Sequence, residues 1–260
     1  MASQESQGAY DIREGCRSYS GIMGSIAGFV VPSVLVVFSV THQEEARHKM
    51  ELTFATGLLV LSLLGCLASA FAFAAIAGEK KLTANLPAAA MLVGIGTIVS
   101  VASILGAFVC FAHIYISTAV GFFLAITAGG GITGGIFNAF AVVDDWEIRR
   151  SEEMPLSRWL VSRKKATEYA TAFAILSTIP MALGLGLALL GLHVTLSTRE
   201  VTWFIAAGIV IVIVAIIGGV IRTIHPTTGE HDKGVEPVEV WVAQLVTGLY
   251  VGAMLIFLPQ

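Results

Sequence analysis

Long apolar runs separated by short charged segments make up this chain. No charged side chain interrupts residues 86–143, where Cys110, His113 and Tyr115 are the only ionisable side chains. As one helix those 58 residues would measure about 87 Å, at roughly 1.5 Å per residue. The hydrocarbon core of a bilayer is only about 30 Å thick. The run must therefore cross a membrane and fold back on itself.

Apolar runs bounded by charges predict seven helical spans: 20–40, 52–77, 86 to about 110, about 118 to 143, 169 to about 192, 202–221 and 238–258. The long run divides at residues 113–117. The glycines at 129–131 are a rival turn site, but a turn there leaves a final piece too short to cross. The fold class is all-α, a polytopic transmembrane helical bundle. Its organisation reads as a tail (1–19), a four-helix half (20–143), a connector (144–168) and a three-helix half (169–260).

Composition agrees: 56% of residues are hydrophobic and 13% charged, about half the charge of a soluble domain. The net charge of −3 argues against nucleic acid as a partner. Cys16, Cys66 and Cys110 lack metal spacing, and two of them lie in apolar runs where a thiol acts as a small hydrophobe. The first apolar run is longer than the about 7–15 residues of a signal h-region, so it reads as an uncleaved signal-anchor.

Charge also orients the spans. Twelve Lys and Arg fall on one face: Arg13, Arg17, Lys80, Lys81, the six of the connector, Arg222 and Lys233. The other face has three, Arg47, Lys49 and Arg199. The positive-inside rule then puts the N-terminus in the cytoplasm and the C-terminus outside, in a multi-pass protein of the cell membrane. Trp203 and Trp241 sit near span starts as interfacial anchors. In the connector, Arg158, Trp159, Arg163, Lys164 and Lys165 interleave with leucines, the composition of a short helix lying on an anionic leaflet. The plainer reading is a positive-inside determinant and nothing more.

Membrane helices associate through close packing of small residues. Gly24 with Gly28, Gly130 with Gly134, Gly131 with Gly135, and Gly248 with Gly252 are GxxxG pairs. They suit packing within the chain, a homo-oligomer seam or partner helices. The glycine run at 129–135 lacks the Lys and Ser/Thr of a phosphate loop and reads as flexible or partly unwound helix. In span five Pro180 follows Ser177 and Thr178. Proline removes a backbone donor and kinks a helix, giving a static bend or a hinge.

Candidate chemistry is sparse. Glu51, Glu79, Glu200 and Glu239 all fall at span ends, which argues against a proton-coupled transporter with a buried carboxylate and against an intramembrane protease. His113 belongs to the turn between spans three and four. Asn138 and Gln244 are the most polar side chains within spans, suited to interhelical hydrogen bonds or solute contact. His42, Glu44, Glu45 and His48 in one loop, and His225, Glu230, His231 and Asp232 in another, lack the order of a zinc hydrolase. Asp144, Asp145 and Glu147 make at most a weak Mg²⁺ site. No cofactor is indicated.

Three functions compete. A small channel or transporter would line its path with Asn138, Ser177, Thr178 and Gln244, bending at Pro180 with His113 at the turn. An accessory or assembly subunit would use its glycine faces on partner helices. A membrane-embedded enzyme for an isoprenoid or lipid would need acid–base residues clustered at one face. The first is the leading expectation.

Overall fold

The computed structural model describes residues 12–44, 49–79, 85–117, 119–121, 123, 127, 175, 176, 178–188, 190–192, 194, 197–224 and 237–258. Six helices organise them: α1 (Ile12–Glu44), α2 (Lys49–Ala77), α3 (Asn85–Tyr115), α4 (Thr178–Ala188), α5 (Thr198–Ile224) and α6 (Pro237–Phe257). No strand occurs among the described residues. Four of the helices, α1, α2, α3 and α5, are long and apolar enough to cross a membrane.

Local chemistry sets where the helices begin and end. Pro87 lies in the first turn of α3 and Pro237 opens α6, positions where a missing N–H costs no intrahelical bond. α4 closes in a Schellman motif: the Leu192 N–H donates to the Leu187 carbonyl and the Gly191 N–H to that of Ala188, both at 3.0 Å. The motif needs a left-handed residue, and Gly191 supplies it at φ 74°. α5 starts with a capping box. The Ser197 N–H donates to Glu200 Oε2 at 2.7 Å, and the Glu200 N–H donates to Ser197 Oγ at 3.4 Å.

Several helix boundaries differ from the expected spans. α1 begins at Ile12, inside the expected tail, and runs on through His42 and Glu44, which the charge pattern assigned to a loop. Charged residues end an apolar run without ending a helix, because their backbone hydrogen bonds are unaffected. α2, α3 and α5 likewise run up to five residues past their apolar cores. The turn after α3 falls at Ile116 and Ser117, within the expected window. Both of their N–H groups donate to the Ala112 carbonyl, and Ser117 Oγ accepts the Val120 N–H at 3.3 Å to start the next helical turn. A methyl on Gly121 would lie 3.4 Å from the Val109 carbonyl, so the chain doubles back onto α3.

Contacts fix the relative directions. Arg13 with Glu79, Tyr19 with Phe73 and Ser20 with Ala70 make α1 antiparallel to α2. Gly65 against Ser100 and Gly106 against Leu58 make α2 antiparallel to α3. Met50 with Thr198, Gly57 with Ile205 and Gly65 with Val212 make α2 parallel to α5. Gly208 with Tyr250 and Phe204 with Phe257 make α5 antiparallel to α6. α1, α3 and α6 thus run one way, α2 and α5 the other. The Schellman motif holds the chain to the end of α4 as far as Leu192, and the five residues from there to Ser197 reach at most about 18 Å, too short to cross a bilayer core, so the end of α4 and the start of α5 share one end of the bundle.

Charge respects this geometry. Arg13, Glu14, Arg17, Glu79, Arg222 and Glu239 lie at one end, and Lys49, Glu51, Arg199 and Glu200 at the other. Between Glu200 and Arg222, α5 is free of charge for a length of about 32 Å, close to a bilayer core. Its outer face there carries Val210, Ile213, Val214, Ile217 and Ile221, all exposed. The molecule is a membrane protein by this belt.

Candidate functional site

The interior joins α2, α3, α5 and α6 around Leu58, Leu59, Leu61, Val99, Ala102, Tyr250, Val251 and Met254. Into it run six buried polar residues: Ser62 and Ser69 on α2, Ser100 and Ser103 on α3, and Gln244 and Thr247 on α6. Several serines return their hydroxyls to their own helix, which suits a medium without water. Ser100 Oγ donates to the Gly96 carbonyl at 2.6 Å and Ser103 Oγ to that of Val99 at 2.8 Å. Ser62 Oγ lies 3.9 Å from Cys66 Sγ.

Glycine makes room for these groups. A methyl on Gly65 would collide with Ser100 Oγ, and one on Gly208 with the Tyr250 hydroxyl and Leu61. On Gly219 it would lie 2.7 Å from Val93 Cγ2, and on Gly106 3.0 Å from Met254 Sδ. Tyr250 stacks on Phe204 with centroids 4.6 Å apart, while Phe204 also meets Phe257 edge-on at 5.2 Å and Phe54 at 5.8 Å. Phe204 thereby ties α5 to both α2 and α6. Ser103 is a close polar neighbour of the Tyr250 hydroxyl, yet that hydroxyl makes no hydrogen bond of ordinary geometry among the described residues.

A second close approach joins α4 to α6. A methyl on Gly252 would strike the Pro180 carbonyl, and one on Gly184 the Gly252 carbonyl. The two backbones touch with no side chain between them, an arrangement in which Cα–H groups face carbonyl oxygens.

α1 behaves differently. Met23, Ala27 and Val30 turn inward and are buried, and Ser20 Oγ donates across to the Ala70 carbonyl at 2.8 Å. The opposite face carries Gly21, Gly24 and Gly28, with nothing among the described residues within 4 Å of a methyl placed on any of them. Phe29, beside them, is 75% exposed. Only 17% of the apolar window of α1 is buried, against 50% in α2 and 56% in α3. The glycine pairs of the sequence therefore divide. Gly252 is spent inside the chain, whereas Gly24 and Gly28 face away from the packing among the described residues.

The expected site residues scatter. His113 sits in the last turn of α3, three residues before the turn, and is partly buried. Thr178 and Pro180 lie in α4, half-buried, with the Pro180 carbonyl on Gly252. Gln244 is fully buried on α6. Asn138, Ser177, Arg158, Trp159, Arg163, Lys164 and Lys165 lie outside the described residues, as do the acidic group at 144–147, the glycine run at 129–135 and the second histidine loop. Glu200, expected at a span end, uses its carboxylate in the capping box. It stands outside the charge-free stretch of α5, and the Ser197 N–H, then its hydroxyl, hold the Glu200 carboxyl below its ordinary range.

Sequence reading passed over Ser62, Ser69, Ser100, Ser103 and Tyr250. A signal existed for the serines: Gly65 with Ser69 and Gly96 with Ser100 are small residues four apart, a broader form of the glycine-only pattern. No comparable signal marks Tyr250. Chemically the seam offers hydroxyls and one amide, with no buried carboxylate, amine or guanidinium among the described residues. Nor does any group of three metal-ligating side chains occur among them. No protein-family model matches this chain, and neither does any curated protein or solved structure.

Proposed function

We propose that this chain is a multi-pass protein of the cell membrane that serves as an assembly subunit, offering the open glycine face of α1 to a partner helix. The observation carrying this reading is the contrast between Gly252, closed by a neighbouring backbone, and Gly21, Gly24 and Gly28, where an added Cβ meets nothing within 4 Å among the described residues. Each glycine costs a helix about 1 kcal/mol relative to alanine. Lipid tails return none of that, while a closely packed helix returns it as van der Waals contact. The excess of Lys and Arg on one side supports a cytoplasmic N-terminus.

Co-purification in mild detergent tests the proposal. The native chain should elute with a stoichiometric partner or as an oligomer. Gly24→Ile with Gly28→Ile should release it as a folded monomer, since a Cβ added at either position meets no neighbour among the described residues. A partnerless native monomer, or a complex indifferent to the double substitution, overturns it.

Passage of a small solute is the second reading, favoured by the buried Gln244 and Thr247 on α6, the helix that α4 crosses at Pro180. Ser62, Ser100, Ser103 and Thr247 are 0% exposed, so these side chains do not line a wet path in this conformation. The α4–α6 seam would have to part. Liposome flux that survives Gly24→Ile with Gly28→Ile but falls with Gln244→Leu would favour this reading over assembly.

A further inference from the structure

We draw no further inference here: the strongest candidate, the buried hydroxyl pair of Ser103 and Tyr250 between α3 and α6, is packed by Leu61 and the bare backbone of Gly208 and so belongs to the bundle packing already described.

Discussion

At the scale of single residues, this protein turns on where a side chain is missing. Gly184 and Gly186 stand two apart on α4, yet a methyl on Gly184 meets the Gly252 carbonyl while one on Gly186 meets nothing within 4 Å among the described residues. Gly184→Ala and Gly252→Ala should each cost about 1–3 kcal/mol or more by overpacking. Gly186→Ala should be neutral or stabilise by up to about 1 kcal/mol through helix propensity. Reversible unfolding in detergent micelles measures all three. Tyr250 makes a different case. Its hydroxyl is buried without a hydrogen bond of ordinary geometry among the described residues, and an unsatisfied buried hydroxyl costs about 1–3 kcal/mol. Tyr250→Phe keeps the stack on Phe204 and should raise stability by about 1 kcal/mol in the same unfolding assay. A loss would mean that the hydroxyl has a partner, such as a bound water. Phe204→Ala, by contrast, removes a ring in contact with three others and should cost about 3–5 kcal/mol.

At the scale of elements, helix ends are written in local chemistry that hydropathy does not register. The Ser197–Glu200 box was legible in the sequence as Ser-Thr-Arg-Glu ahead of an apolar run, as was Pro237 as a first helical residue. Reading only for apolar length passes over both. The lowered Glu200 carboxyl gives the box a pH dependence. A carboxyl whose folded value is depressed adds stability above its unfolded value, about 4.3. That contribution is lost as pH falls through the lower folded value. Amide exchange at Ser197 should therefore speed up as pH falls through that range, relative to neighbouring amides with the intrinsic acid dependence removed. Glu200→Gln, which does not titrate, should show no such step. Boundaries were less legible than cores. Glu14 and Arg17 sit inside α1 because a helix continues into the headgroup region for as long as its backbone bonds close.

At the scale of the whole molecule, two charged ends flank a charge-free band among the described helices, with α1, α3 and α6 running one way and α2 and α5 the other. This arrangement predicts which sites share a compartment. The three native cysteines are buried, so a new exposed thiol reports alone. In sealed vesicles of known orientation, Arg17→Cys should react with an impermeant maleimide from one side only and Thr198→Cys from the other. Labelling of both from the same side would contradict the bundle directions. Reaction of Arg17→Cys from the extracellular side would reverse the orientation drawn from the Lys and Arg count.

What the sequence determined by itself was the solvent. Uncharged runs longer than a bilayer is thick leave the chain no aqueous home, and that conclusion requires no neighbour. The helical state followed from it, because backbone groups in hydrocarbon must bond within their own segment. The turn near Ser117 followed as well, since the run had to divide into pieces that fit the membrane. Which face of each helix turns inward was decided only by tertiary structure. Lipid and protein interior are equally apolar, so hydropathy carries almost no amphipathic signal for burial. Gly24 and Gly252 look alike in the sequence, each half of a GxxxG pair. Only the fold makes Gly252 a contact and turns Gly24 away from its described neighbours.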